Sequence, residues 1–334
     1  MLATYPADGQ GTNSAADAGV ACDTPTPDCA VPTDAAIELR FDRFLLPGSQ
    51  LATALRLFTG GPTTGDPNAN AVAVSAQYDV VERVVVLRPA ALQPNTLYTA
   101  VITPSTDPAQ GFWAFDLAPL EAGDVPLSFS FTTGNGPAAP STLVAASDNC
   151  QSITQPSVSA GMGELPAGPL NTCSTATCHE NPDSSTASYP PMGLSLTDWG
   201  LFYTAINHVA HQTETGESAL GPGFLSSPRF GVQMNLVTPG APESSYLMYK
   251  LLRKPSNYAL DSGEPCQTAL HPPVADGACF VPTNDDAELA RLREWFVLGD
   301  PMPKDKDTPA PFSRDGLVRV AAWISAGATC SLSP

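Results

Sequence analysis

Charge is scarce in this chain, and positive charge scarcest of all. Charged residues make up 14% of its 334 residues, with 15 lysines and arginines against 33 aspartates and glutamates. The net charge of −18 is evenly spread: residues 1–147 carry 14 acidic and 5 basic side chains and residues 148–334 carry 19 and 10, so each half is −9. A surface so poor in cations repels polyanions, which argues against nucleic acid as a partner. Long apolar runs are also lacking. Nowhere do 18 apolar residues follow one another, so no segment is expected to cross a membrane as a helix. The opening Met1-Leu2-Ala3-Thr4 has neither the basic n-region nor the apolar h-region of a signal peptide, so an export signal or lipoprotein anchor is expected to be absent from this sequence. Catalytic signatures are missing too. Gly60-Gly61-Pro62-Thr63-Thr64-Gly65 lacks the Gly-Lys-Ser/Thr ending of a phosphate loop and reads as a turn. Asp305 and Asp307 resemble a fragment of a calcium loop without its closing glutamate. No Ser-His-Asp set, carboxylate pair or internal repeat stands out.

What the chain does have is proline. Its 35 prolines are about twice ordinary usage, which predicts short elements joined by stiff loops. A hydrophobic content of 43% suffices for a core, and the length suggests about two domains. The eight cysteines are even in number, and close pairs of them lie in loops rich in Pro, Gly, Ser and Thr, as suits an oxidising compartment. Such a setting also accounts for the acidity, which serves solubility outside the cytoplasm.

Residues 1–135 read as all-β. Ile37 to Phe41 alternates with period two, and Leu55 to Phe58 ends at a Thr-Gly-Gly-Pro turn. Val72 to Tyr78 and Val80 to Leu87 suggest a strand pair, and Tyr98 to Ile102 and Leu127 to Phe131 complete at least six short strands, the signature of a sandwich. Tyr5-Pro6-Ala7-Asp8-Gly9, Arg40-Phe41-Asp42, the stretch Leu92 to Tyr98 and the closing Phe129 to Gly134 resemble the bacterial Ig-like domains of exported proteins. An insertion around Cys22 and Cys29 departs from that pattern.

Residues 136–147 form a Pro/Ala linker, and beyond it the period changes. Thr197 is an expected N-cap for a helix whose apolar residues Trp199, Phe202, Tyr203, Ile206 and Val209 run to residue 209. Further helices are expected at Ser244 to Leu252, at Asp286 to Leu298, and after Ser313 with Leu317, Val320, Ala321 and Ile324 on one face.

Residues 148–334 also carry the chemistry. Cys173-Ser174-Thr175-Ala176-Thr177-Cys178-His179 is a C-x4-C-H arrangement, in which two thiols can add to the haem vinyl groups and the adjacent histidine falls beneath the iron. A plain disulfide or half of a zinc site would use the same cysteines. No second C-x2–4-C completes a zinc site, Cys266 and Cys279 being 13 apart. After His179 come Pro191 to Leu196, Val237 to Leu247, Gly299-Asp300-Pro301-Met302-Pro303 and Ala322 to Ala328. In that order these resemble the small exported c-type cytochrome domains of bacterial envelopes, over about residues 148–330. The four-residue spacing and the insertion from Asn257 to Asn284, with Cys266, His271 and Cys279, are departures.

That resemblance implies one covalent haem c held by Cys173 and Cys178, with His179 proximal and Met302 distal. His208 and His211, read as i, i+3 on the expected helix, are rival sixth ligands or a surface metal pair. Met192, Met234 and Met248 are expected in the core, and His271 in a loop. Lys304 and Lys306 beside Asp305 and Asp307 form either a solvated rim or a docking edge for a partner. The expected whole is a two-domain protein, an Ig-like β-sandwich followed by a mainly α-helical cytochrome c-like domain. It would be an electron carrier rather than an enzyme, exported to the periplasm or cell surface, serving redox partners of the envelope, with self-association or membership of a membrane complex open. Two alternatives stay open: a five-coordinate haem enzyme or sensor for peroxide or a gas, and a disulfide-stabilised structural envelope protein. With two cysteines given to haem, Cys22–Cys29 and Cys266–Cys279 each close a short proline-containing loop, which leaves Cys150 with Cys330 at the two ends of the second domain.

Overall fold

A computed structural model describes residues 3–11, 30–47, 51–66, 68–107, 110–121, 126–137, 149–154, 158–160, 163–165, 169–170, 194–196, 198–210, 234–252, 286–295, 297 and 314–330. The described residues fall into two compact units, one within Met1–Val144 and one within Ala145–Ala259 and Thr283–Pro334.

Among the described residues the first unit holds eight strands: β1 (Ala3–Tyr5), β2 (Ile37–Arg40), β3 (Leu55–Thr59), β4 (Ala71–Val72), β5 (Val74–Asp79), β6 (Val84–Pro89), β7 (Leu97–Ile102) and β8 (Ser128–Thr132), with a one-turn helix α1 (Leu51–Ala54) leading into β3. They form two antiparallel four-stranded sheets, ordered β1-β2-β6-β5 and β4-β3-β7-β8. Only Ala73 separates β4 from β5, so the chain passes from one sheet to the other at that point. Burial alternates with period two along β8, whereas Ile37–Arg40 of β2 and Val84–Leu87 of β6 are buried on both faces. In the first sheet Ile37 pairs with Leu87 and Leu39 with Val85, all four 0% exposed. In the second, Tyr98 stacks on its cross-strand partner Phe131 with ring centroids 5.7 Å apart, and Phe129 pairs with Ala100. Burying an aromatic of this kind is worth about 1.5–3 kcal/mol. The open edge at β8 is covered by parallel bridges from Gln10 to Phe131 and from Val31 to Thr133, which blunts it against pairing with another chain.

Two strands differ from the sequence expectation, and the first is the run from Val72 to Tyr78, which is split at Ala73 with Val72 in β4 and Val74–Tyr78 in β5 of the other sheet. The valine run from Val80 to Leu87 suggests a single strand, but β6 begins at Val84. Asp79 accepts hydrogen bonds from the backbone N–H groups of Val81 (2.9 Å) and Glu82 (3.2 Å), and Arg83 takes a left-handed φ of 55°. That Asx turn makes Val80–Arg83 the hairpin connection between β5 and β6. Arg83 then donates to the Asp42 carbonyl (2.7 Å) and lies over the Phe44 ring at 4.4 Å.

The second unit is built from short pieces: α2 (Cys150–Thr154), a hairpin of β9 (Val158–Ala160) and β10 (Gly163–Leu165), then α3 (Asp198–Thr204), α4 (Tyr246–Leu252), α5 (Asp286–Trp295) and α6 (Arg314–Ser325). The longest, α6, buries Leu317, Val320, Ala321, Trp323 and Ile324, as its apolar spacing predicts. Met234 and Met248 are buried as expected, while Met192 lies outside the described residues.

The helix expected from Thr197 to Val209 is corrected in length and in phase. α3 has seven residues and ends at Thr204, and Asn207 adopts a left-handed φ of 59°. Leu201 and Ala205 are the buried residues, whereas Phe202 and Tyr203 are exposed and meet each other edge to face. Ile206 and Val209 do not continue the helix; they bridge to Val237 and Asn235.

Candidate functional site

Cys173, Cys178, His179, Met302 and His211 lie outside the described residues, as do Cys22, Cys29, Cys266, Cys279 and His271. The described parts of the second unit are held together as follows. Asn149 caps α2, its side chain accepting from Ser152 N (2.9 Å) while Ser152 Oγ accepts from Asn149 N (2.8 Å). This reciprocal cap satisfies N–H groups that a helix start leaves orphaned. Cys150 donates its backbone N–H to the Thr329 carbonyl (3.0 Å) and forms a disulfide with Cys330, the Cα atoms 4.7 Å apart. Arg319 of α6 reaches the Ser152 carbonyl (3.3 Å), and Trp323 Nε1 donates to the Thr329 carbonyl (3.2 Å). The start and end of the unit are thus fastened together, as the expected Cys150–Cys330 pairing requires. Leu170, fully buried, bonds back to the Ile153 carbonyl (2.9 Å) three residues before Cys173.

His208 is described, and it is not on a helix. It lies past the end of α3 in an exposed segment whose backbone pairs with the chain at 234–237, Leu236 donating to the His208 carbonyl at 2.7 Å. The i, i+3 helical spacing read for His208 and His211 therefore does not exist, because the left-handed Asn207 has already ended the helical path. Among the described residues no group of three or more His, Cys, Asp or Glu side chains is placed to hold a metal ion, and no helix is long and apolar enough to cross a membrane.

A second feature of this unit escaped the sequence reading. Between Val237 and α4 the chain makes a tight turn, with a single 3-10 turn at Pro242–Ser244 and Gly240 at φ 80°. The turn is held from all sides. Gly240 N donates to the Ile324 carbonyl on α6 (2.7 Å), Thr238 N to Ser245 Oγ (2.9 Å), Thr238 Oγ1 to the Ser244 carbonyl (2.8 Å), Ser245 Oγ to the Ala241 carbonyl (3.0 Å), and Tyr249 OH to the Glu243 carbonyl (2.9 Å). Inside this frame Glu243 Oε2 is buried with no hydrogen-bond partner. Burial pushes the Glu243 carboxyl from 4.5 up to about 7, opposed in part by a hydrogen bond from its own backbone. A carboxyl so placed exchanges its proton near neutral pH. The sequence signal was only an acidic residue between Pro242 and Ser244, and nothing in that pattern announces burial.

A family model described as a bacterial Ig-like domain matches residues 22–133, in agreement with the two sheets of the first unit. No curated protein matches the chain. Among solved structures, selenomethionine PcoC, a copper resistance protein from Escherichia coli, is similar at 15% identity and a TM-score of 0.24, over 40% of this chain and 97% of that one.

Proposed function

We propose that this protein is an electron carrier of the bacterial envelope, in which an Ig-like domain spaces or docks a second domain bearing one c-type haem. The observation that carries the reading is the ordered run from Cys173-x4-Cys178-His179 to Met302-Pro303 and on to Ala322–Ala328. The donor chemistry fits the group. Cys173 and Cys178 supply two thiols for thioether attachment, His179 an imidazole, and Met302 a neutral, soft thioether. Cys150 and Cys330 are bonded to each other and do not compete for attachment. When bound, the haem supplies a one-electron Fe(III)/Fe(II) couple. A haem held by both His179 and Met302 would have no open position for peroxide or oxygen, which favours electron transfer over the enzyme or sensor alternative. Location outside the cytoplasm is supported by the Ig-like match and by the Cys150–Cys330 disulfide, and the proposed partners are redox proteins of the envelope.

A second reading also rests on that disulfide: in an oxidising compartment Cys173 and Cys178 could simply bond to each other in a structural envelope protein. Expression with haem-maturation machinery followed by acid-acetone extraction separates the two. Pigment that stays with the protein, and is lost in Cys173→Ala/Cys178→Ala, supports the haem reading. Pigment recovered wholly in the organic layer, or a colourless protein, overturns it. Met302→Ala is expected to abolish the weak long-wavelength band of ferric thioether ligation and to open the iron to cyanide. An unchanged spectrum in that variant would remove Met302 from the ligand set.

A further inference from the structure

We propose that β5 is a self-association edge, along which a second copy of this chain lays its own β5 antiparallel and joins two four-stranded sheets into one. The proposal concerns the sandwich alone and is independent of the haem reading. β5 is the last strand of its sheet, and among the described residues no strand pairs with its outer side. Its register against β6 runs unbroken from Val74 opposite Pro89 to Asp79 opposite Val84, and Ala90 N donates to the Ala73 carbonyl (3.3 Å). Strand alternation then turns the backbone groups of Ala73, Ser75 and Gln77 toward β6 and those of Val74 and Ala76 outward. Ser75 is exposed, and Val74 and Ala76 are only half-buried, so the edge is open to solvent there.

The chemistry of the edge selects its occupant. The edge at β8 is closed by Gln10 and Val31, whereas β5 carries none of the usual guards, having no lysine, no proline and no bulge. The whole run from Asn68 to Tyr78 is without a charged residue. Two copies of a chain of net charge −18 repel each other over most approaches. An uncharged edge is where they meet with no like charges directly opposed. Self-pairing also satisfies the outward groups by symmetry. With the two-fold axis at Ser75, Val74 lies opposite Ala76 of the second copy and Ala76 opposite its Val74, each pair exchanging both N–H···O=C bonds. The two Ser75 residues form the closer, non-hydrogen-bonded pair, with Cα atoms about 4.5 Å apart. Short side chains at Ser75 and Ala76 admit the second backbone and offer a foreign peptide little to be selected by. So small an interface makes a weak dimer, formed where the local concentration is high.

The test is sedimentation equilibrium of the full-length protein from micromolar to millimolar concentration. The wild type is expected to rise from monomer to twice that mass. Ser75→Lys sets like charges opposite each other at the axis and is expected to stay monomeric throughout. Ala76→Pro removes an outward N–H while leaving the ladder to β6 intact, and the same result is expected. Register is read by trapping under mild oxidation, with peptide mapping of the new bond. Ser75→Cys is expected to give a dimer linked from 75 to 75, because that Cα spacing lies within disulfide range. In Gln77→Cys the two thiols lie about 14 Å apart in this register and are expected not to link. A wild type that remains monomeric at millimolar concentration overturns the proposal, whether or not the edge takes an added peptide. So does a dimer that persists in both Ser75→Lys and Ala76→Pro, which would place the contact elsewhere, or a link at 77 as efficient as the one at 75.

Discussion

A β-carbon at position 200 would lie 2.0 Å from Ser195 Oγ, 2.4 Å from its Cβ and 2.8 Å from its carbonyl oxygen. Glycine there lets α3 close against Leu194–Leu196, where Thr204 Oγ1 both accepts from Ser195 N (3.0 Å) and donates to the Gly200 carbonyl (2.7 Å). Gly200→Ala is expected to cost about 1–3 kcal/mol by overpacking, read as a lower urea midpoint. Ser195→Gly added to it should recover only part, since the carbonyl clash remains. Glu243 gives a prediction with a sign. Its folded carboxyl titrates at about 7 against an ordinary 4.5, so between those values the native state holds more protons than the unfolded one. Stability therefore falls as pH rises from 4.5 to 7, and the full penalty, at most about 3 kcal/mol, persists above. Glu243→Gln should match the wild type below pH 4.5 and exceed it at pH 8 in urea denaturation across pH. A difference that stays flat with pH would mean that Glu243 does not titrate in this range.

At the scale of elements, the Cys150–Cys330 bond ties the first helix of the second unit to the residues just past its last. Cys150→Ala/Cys330→Ala is expected to lower that unit's stability by about 2–5 kcal/mol, seen as an earlier unfolding transition in calorimetry while the transition of the sandwich stays in place. The strands were legible in the sequence through β-branched and aromatic runs bounded by turn residues, although Glu38, Arg40, Val84 and Val86 are buried along with Ile37, Leu39, Val85 and Leu87 and so depart from the half-exposed face that strict alternation implies. The same rule failed at Val80–Arg83, where an Asp79 side chain bonding ahead to Val81 and Glu82 outcompeted the strand preference of valine. In α3 the large aromatics suggested a face, yet Leu201 and Ala205 were buried and Phe202 and Tyr203 stayed outside, because the seven-residue helix is oriented by its close approach at Gly200. β1 and α1 were too short to leave a period. For the candidate site, the sequence offered a motif and an order of segments, while the buried carboxyl at Glu243 depends on a fold-back to Ile324 that no local pattern encodes.

For the molecule as a whole, the proposed function assigns different tasks to the two units: the residues proposed to hold haem lie after residue 148, and the Ig-like match ends at 133. Residues 148–334, exported alone, are expected to take up haem with the full-length spectrum and nearly the same potential, leaving residues 1–135 folded and colourless. A large shift in potential on truncation would show that the sandwich covers the haem and is no mere spacer. The disulfide has a mechanical consequence as well. Cys150 and Cys330 are 180 positions apart, so a chain pulled from its two ends carries the load straight across that covalent bond. The stretch between them, roughly 600 Å of contour length, bears no tension, and all extension comes from the sandwich and the flanking segments until a reductant releases the hidden length.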